Sequence, residues 1–195
     1  MTAESQVLEA DFAAREEIDA LVRRAQAGEE AAFTEILSRF ESKALLIARS
    51  MGASRSDAED IAQEAFLKIF RYIRSYRSGN SFKAYFYRIV MNASRDHLSR
   101  MSPTGQTTLD EMGEMEAPPD RRAAYEEVEL LRGCLKGLPA REREVVILRD
   151  LQGLSTWEVA RILRISPITV RRHSSRALAH LKVLMGRARG TTGTS

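Results

Sequence analysis

The 195-residue sequence has one cysteine, few prolines and no long uninterrupted run of apolar residues. One cysteine cannot form an intrachain disulfide, and Cys134 with three scattered histidines does not make a Cys/His zinc site. No apolar run approaches the roughly 20 residues that span a bilayer. The acidic N-terminus also lacks the apolar core of a secretory signal. We therefore expect a cytoplasmic protein without a cofactor, a metal site or membrane insertion.

The sequence also lacks the period-two alternation of β-strands and the motifs of an enzyme. No phosphate-binding loop or paired-carboxylate pattern is present, so we expect no catalytic activity of its own. Apolar residues recur instead at helical spacing, and we predict helices over 18–27, 29–50, 57–76, 82–100 and from about residue 121. The third helix is predicted to start after an N-cap at Ser56 and to bury Phe66 and Phe70. The expected fold class is all-α.

Residues 102–119 differ from the rest in composition. They contain three of the five prolines and four acids, with no lysine or arginine, which is typical of a linker. The sequence thus predicts two small helical domains joined by a flexible acidic linker. We expect an N-terminal extension over 1–17, a first domain over 18–101, a linker over 102–122, a second domain over 123–186 and a disordered tail over 187–195.

The segment from Ser155 to Leu178 predicts a helix-turn-helix. Ser155 and Glu158 have capping-box spacing, and Ser166 followed by Pro167 is typical of a second helix start. From residue 159 to the C-terminus there are eight Lys/Arg residues and no acid, although the net charge of the chain is only +3. A basic helix of this kind fits the DNA major groove, in which arginine recognises guanine. A plain helical hairpin with a solvated basic face is the alternative interpretation.

The first domain carries two further patterns. Asp60, Gln63 and Glu64 share one face of the third helix, as either a solvated face or a docking surface for a basic partner. On the fourth helix, a polar and aromatic stripe that includes Tyr85, Arg88 and Asn92 runs beside the apolar one. Aromatic, amide and arginine groups next to a basic loop suit unpaired nucleic acid, because bases stack on aromatic rings and arginines bind phosphates. Tyrosines that merely cover the rim of the core would give the same pattern.

These segments follow one another in an order that resembles an extracytoplasmic-function (ECF) sigma factor, a small two-domain member of the bacterial sigma superfamily. The resemblance covers roughly residues 18–186 and depends on 57–70, 81–100 and 138–181. It implies that the first domain docks on core RNA polymerase and opens the −10 promoter element, whereas the second domain binds the −35 element as duplex DNA. It also implies an anti-sigma factor as a partner.

The resemblance implies roles for individual residues. Polymerase docking would use Asp57, Asp60, Gln63 and Glu64. The single-stranded −10 element would contact Gly79, Asn80, Ser81, Tyr85, Arg88, Asn92 and Arg95. The −35 duplex would contact Thr169, Arg171, Arg172, Ser175 and Arg176.

The chain departs from the usual family pattern at several of these sites. Tyr85-Phe86 stands where a Trp-Leu pair is common, and Ser174 stands where a leucine is frequent. Two alternatives remain at this point: a two-domain helix-turn-helix regulator that acts on duplex DNA without replacing a sigma factor, and a helical adaptor that binds only protein.

Overall fold

The computed structural model describes residues 3–77, 81–101 and 122–191, which form helices and no β-strand. The first half of the chain contains α1 (Ala3–Gln26), α2 (Glu30–Met51), α3 (Arg55–Tyr72), a 3₁₀ turn (Ile73–Ser75) and α4 (Phe82–Met101). The second half contains α5 (Arg122–Lys136), α6 (Ala140–Val146), a π-helical segment (Ile147–Leu151), α7 (Thr156–Leu163) and α8 (Pro167–Thr191). The all-α prediction is confirmed. Within the described ranges, every helix is too short or too polar to span a bilayer.

The helix starts and ends follow local chemistry, with one correction. Gly52 ends α2 in the left-handed conformation, with φ at 113°, as glycine does at a helix C-terminus. The N-cap of α3 is Ser54, and not Ser56 as the sequence suggested. The Ser54 hydroxyl accepts the Asp57 N–H while the Asp57 carboxylate accepts the Ser54 N–H, which completes a capping box.

The core of the first half is aromatic. Phe86, fully buried, packs its ring 4.7 Å from that of Phe40 and 6.0 Å from that of Phe66, measured between centroids. The prediction that Phe70 lies inside is wrong, since 59 % of it is exposed. It lies at the rim, with its ring 4.9 Å from that of Phe33. These contacts fix α3 and α4 side by side.

The second half is held by α8, which packs against α5, α6 and α7. Cys134, Leu135, Ala177 and Leu181 are buried together at this junction, and burial raises the pKa of the Cys134 thiol. Helix α8 continues through Thr191, so residues 187–191, expected in the disordered tail, are helical. At the other end of the chain, α1 begins at Ala3, fifteen residues before the predicted start of the first domain at Ile18.

The two halves pack directly on each other. Helix α4 contacts α7, and α2 contacts both α5 and the π-helical segment. One apolar cluster includes Phe86 and Val90 from the first half and Leu148, Val159 and Ile162 from the second. The predicted linker lies outside the described residues apart from Arg122, which begins α5. The prediction of two helical domains is confirmed, whereas the predicted domain bounds and the linker stay predictions.

Candidate nucleic-acid interface

The turn between α7 and α8 positions the basic helix. Ser155 and Glu158 form the predicted capping box at the start of α7. Arg164 ends α7 in the left-handed conformation, with φ at 56°, which few residues other than glycine adopt. The Ser166 hydroxyl then accepts the Thr169 N–H at 3.1 Å and caps α8. The predicted helix-turn-helix is therefore present in its local detail.

One face of α8 is buried, so the opposite face points toward solvent. Val170, Ser174 and Ala177 are buried at three- and four-residue spacing, which places them on one side of the helix. The Arg149 guanidinium, from the π-helical segment, donates to the Ser174 hydroxyl at 2.7 Å. Ser174 is thus a buried polar residue with its hydrogen bond satisfied, where the family often has leucine.

The outward face of α8 carries the residues that the resemblance assigned to duplex DNA. Arg171, Arg172, Ser175 and Arg176 are exposed, and Thr169 is half-buried beside its cap. The three arginines form no ion pair with any part of the chain that the structure describes. Their guanidinium groups are free to bind phosphates or the major-groove edge of guanine.

A second candidate surface lies on α4. The Tyr85 ring sits 5.0 Å from the Tyr76 ring and the Arg88 guanidinium lies 5.8 Å from the Tyr85 centroid. Burial raises the pKa of both tyrosines, and a tyrosine is neutral near pH 7 even at its ordinary value of about 10. The half-buried Tyr85 ring next to the Arg88 guanidinium forms a surface on which an unpaired base could stack.

A cleft of about 440 Å³ opens beside these rings. From the first half it is lined by Tyr72, Ser75, Tyr76, Arg77, Ala84, Tyr85 and Arg88. From the second half Arg161 and Ile162 of α7 complete the lining. Sequence reasoning missed these two residues, because only the packing of α7 against α4 brings them to this surface.

Only part of the loop assigned to a flipped base lies within the described residues. Gly79 and Asn80 lie outside the described residues. Ser81 is half-buried at the start of α4, where its carbonyl accepts the Tyr85 N–H at 3.1 Å. On the other side of the loop, the Gln26 amide donates to the carbonyls of Ile73 and Tyr76 at 2.9 and 2.6 Å. Helix α1 therefore fixes the turn that enters the loop.

The C-terminal half of the α4 stripe is already engaged within the protein. Asn92 is exposed, and its amide oxygen accepts a hydrogen bond from Arg95 at 3.0 Å. The Arg95 guanidinium also forms an ion pair with Glu144 of α6. Tyr85 and Arg88 line the cleft, whereas Asn92 and Arg95 lie further along the helix against the second half.

The acidic face of α3 is mostly outward. Asp60 and Gln63 are exposed, and Glu64 is half-buried. Glu64 accepts from Lys68 at 2.7 Å and from Arg100 at 3.5 Å, and the Lys68 hydrogen bond holds the pKa of Glu64 below its usual value. An ionised carboxylate beside exposed polar groups suits a basic partner surface.

Asp57 is placed differently from the other three acidic or amide residues. Its carboxylate accepts from the Ser54 hydroxyl at 2.6 Å and lies 3.0 Å from Nε2 of His97. The Ser54 and His97 hydrogen bonds hold the pKa of Asp57 below its usual value. Asp57 caps its own helix, so its side chain is less available to a partner than that of Asp60.

Comparisons with known proteins agree with the order of these faces along the chain. Residues 36–103 match the family described as Sigma-70 region 2. Residues 128–181 match the family described as Sigma-70, region 4. The first match contains the acidic face and the α4 surface, and the second contains the helix-turn-helix.

Curated and solved proteins extend this comparison over most of the chain. The ECF RNA polymerase sigma-E factor of Haemophilus influenzae is 31% identical over 171 residues, which cover 81% of this chain and 89% of that protein. The solved structure of CnrH in complex with the cytosolic domain of CnrY has a TM-score of 0.69 at 26% identity and covers 86% of this chain and 96% of CnrH. The sigma factor RpoE of Bartonella quintana, solved with the anti-sigma factor NepR, has the same fold at a TM-score of 0.64 and 21% identity, covering 79% of this chain and 96% of RpoE.

These relatives decide among the three functions that the sequence left open. A helix-turn-helix regulator or a protein-binding adaptor would match in one region at most, whereas here both sigma regions match in one chain and in the expected order. The chain belongs to the extracytoplasmic-function sigma factors of bacterial RNA polymerase.

Proposed function

We propose that the chain binds core RNA polymerase, directs it to promoters and helps to open the −10 element, without a catalytic step of its own. The observation that carries this proposal is the presence of two nucleic-acid faces of different chemistry in one molecule. The α8 face offers exposed arginines to duplex DNA, and the α4 face offers the half-buried Tyr85 ring beside the Arg88 guanidinium to a single strand. Transcription takes place on the chromosome, and we therefore propose a cytoplasmic location.

Polymerase docking is assigned to the acidic face of α3. Asp60 and Gln63 are exposed and Glu64 is ionised beside Lys68. Asp57 contributes by fixing the start of α3 through its capping box with Ser54. The alanine variants of Asp60 and Gln63 should reduce affinity for core polymerase, whereas Glu16→Ala should not, because Glu16 is an exposed carboxylate on α1 and not on α3.

Strand binding is assigned to the α4 side of the cleft and to the rest of the α4 stripe. A flipped base would stack against Tyr85, and Arg88 would bind the neighbouring phosphate. The backbone beside the cleft supports a contribution from Gly79, Asn80 and Ser81, since Arg77 just before them lines the cleft. Asn92 and Arg95 would follow the strand further along α4.

Duplex recognition is assigned to the outward face of α8. Arg171, Arg172 and Arg176 would read base edges or phosphates, with Ser175 between them and Thr169 near the backbone. Their exposure leaves them available in the unbound protein.

An inhibitory protein partner is also proposed. The solved RpoE of B. quintana has this fold and was crystallised with an anti-sigma factor, and CnrH was solved with the cytosolic domain of CnrY. A partner that covers the acidic face of α3 together with the α8 face would prevent both polymerase docking and −35 recognition.

Run-off transcription tests the central proposal. Core RNA polymerase is assayed on a pool of promoter fragments with the wild-type chain, with Asp60→Ala/Gln63→Ala and with Glu16→Ala. We expect transcripts that depend on the wild-type chain, strongly reduced transcripts with the double variant, and wild-type levels with Glu16→Ala. Duplex binding without any initiation would refute the proposal in favour of a conventional regulator.

A further inference from the structure

One of the residues assigned to the promoter strand is bound to the other half of the molecule. Nε of Arg95 donates to the Glu144 carboxylate, which lies 49 residues away on α6. Glu144 is only 2% exposed, although it carries a charge. A buried carboxylate is costly unless it is paired and hydrogen-bonded, so this contact needs a physical explanation.

The surroundings of Glu144 supply that pairing. Nη1 of Arg141 donates to Oε2 of Glu144 at 2.9 Å, while Arg95 donates to the other oxygen, Oε1. Two guanidinium groups thus hold one carboxylate. Arginine binds carboxylate and phosphate with the same hydrogen-bond geometry, so Glu144 is placed where a phosphate of a bound strand would meet Arg95.

Two further contacts hold the halves in this arrangement. The Tyr87 hydroxyl, almost fully buried, donates to Oε1 of Gln152 at 3.0 Å. Nη1 of Arg143 donates to the backbone carbonyl of Met51 at 2.7 Å, at the C-terminus of α2. The apolar cluster shared by the two halves adds to these hydrogen bonds. The Arg95 ion pair is therefore part of an extended interface between the halves and not an isolated surface contact.

The same arrangement leaves the other nucleic-acid face open. Arg171, Arg172 and Arg176 are exposed while α7 lies against α4. Arg161 and Ile162 of α7 meanwhile form one wall of the cleft beside Tyr85. The packing of the two halves affects single-strand binding and leaves duplex binding unobstructed.

We propose that Glu144 occupies the phosphate-binding position of Arg95, so that the second half of the chain competes with the promoter strand for the α4 face. This inference rests on the proposed role of α4 in strand binding. The free protein can engage duplex DNA through α8, but it binds a single strand well only when α6 and α7 move away from α4. Polymerase binding, or any event that separates the halves, would then uncover the strand-binding face.

Two neighbouring carboxylates on α6 provide a matched pair of variants. Glu144→Gln removes the charge that pairs with Arg95. Glu142→Gln changes an equally buried carboxylate, 5% exposed, whose partner is His180 within the second half at 2.6 Å. The second variant thus controls for the loss of a buried charge without loosening the contact between the halves.

The full-length proteins are titrated with a fluorescein-labelled, single-stranded oligonucleotide pool of random sequence. We expect Glu144→Gln to bind about tenfold more tightly than the wild type, since the binding-competent fraction rises. The slope of log K against log salt should steepen by about 0.7, the value for one additional phosphate contact on a single strand. Glu142→Gln should match the wild type, and all three proteins should bind a random duplex pool equally. Equal single-strand affinity of Glu144→Gln and the wild type, or an equal gain in Glu142→Gln, would overturn the proposal.

A second variant keeps the test decisive if Glu144→Gln does not fold. Tyr87→Phe deletes only the hydroxyl that bonds Gln152, and we expect it to increase single-strand affinity by about threefold. Unchanged single-strand affinity in Tyr87→Phe would then overturn the proposal.

Run-off transcription separates this proposal from the one before it. The wild type and Glu144→Gln should support equal initiation with core polymerase, since Glu144 is displaced in the working complex. If neither supports initiation, the sigma function fails. If both support initiation while Glu144→Gln shows no gain in single-strand binding, only the competition by Glu144 fails.

Discussion

The α4 face and the α8 face are both assigned to promoter DNA, yet the first is partly covered by other parts of the protein and the second is exposed. On α4, Arg95 is paired with Glu144, and the cleft beside Tyr85 is walled by α7. On α8, Arg171 and Arg172 project into solvent without an ion pair to any residue that the structure describes. The difference matches the form of DNA that each face would bind. Duplex DNA, assigned to α8, exists before initiation, whereas the open strand, assigned to α4, exists only after polymerase is in place.

The largest expected effect comes from breaking the joint between the halves at Arg143. Its guanidinium donates to the carbonyls of Met51, Lys136 and Leu138 at 2.7, 2.7 and 3.1 Å, and its burial lowers its pKa. Arg143→Ala leaves these carbonyls without their donor and should lower the free energy of unfolding by about 3 kcal/mol. Urea unfolding followed by circular dichroism measures the loss, and the halves should then unfold in two transitions.

Arg143→Lys is the control for this variant. It keeps a positive charge but cannot reach three carbonyls at once, so its loss should be smaller than that of Arg143→Ala. Equal and negligible losses in both variants would mean that apolar packing alone joins the halves.

The next largest effect is a pH dependence at Tyr87. Burial raises the pKa of Tyr87 to about 12, above the value of about 10 in an unfolded chain. The folded state therefore holds its proton more tightly, and stability that is fully present below pH 10 is lost as the pH rises from 10 to 12. This loss should approach about 2 to 3 kcal/mol near pH 12. Denaturant unfolding across this range should show a steeper decline for the wild type than for Tyr87→Phe.

Arg171→Ala and Arg172→Ala test the α8 face, which is assigned to duplex DNA. Each should weaken binding to a −35 duplex by about 1 to 3 kcal/mol without changing thermal stability, because both side chains are exposed. Lys182→Ala is the control, since Lys182 is an exposed cation further along α8. Fluorescence anisotropy with specific and random duplexes distinguishes them: the arginine variants lose sequence preference, and Lys182→Ala keeps it.

The smallest expected effect is on the strand side, at Arg88. Because the closed arrangement already limits strand binding, Arg88→Ala should cost the free protein only about 0.5 to 1 kcal/mol of single-strand affinity. In the Glu144→Gln background the same change should cost more, since the face is then open. Arg23→Ala, an exposed arginine on α1, should have no effect in either background. Equal losses at Arg88 in both backgrounds would contradict the contrast between the two faces.

The sequence predicted most of the local structure, because helix ends are set by neighbouring residues. Ser155 with Glu158 and Ser166 start helices where the sequence predicted them, and Gly52 ends α2 within one residue of the predicted end at residue 50. The error at Ser56 arose because both serines have an acid at capping-box spacing, Asp57 for Ser54 and Glu59 for Ser56, and the folded helix uses the first pair. Phe70 was misplaced because the helical period defines a stripe but not how wide the buried part is.

The closure of one half on the other could not be predicted in this way. The Tyr87 hydroxyl finds Gln152 65 residues away, and no local pattern in either segment specifies that partner. Arg95 was expected to contact the promoter strand and no pattern singled out Glu144, so their pairing appears only when α4 and α6 are packed together. The sequence thus identified the residues of the candidate site individually. It did not predict that one of them, Arg95, is already paired with Glu144.

The bond from Arg143 to position 51 ends on a main-chain oxygen, and this has a consequence for how the contact can change through evolution. Any amino acid at position 51 presents the same carbonyl, so this hydrogen bond places no restriction on the Met51 side chain, which is constrained instead by its burial in the core. The Arg95–Glu144 pair depends on two side chains, so a change in one invites a compensating change in the other. In an alignment of descendants that keep the closed form, positions 95 and 144 would covary, whereas the equally real contact between 51 and 143 would leave no trace of correlation.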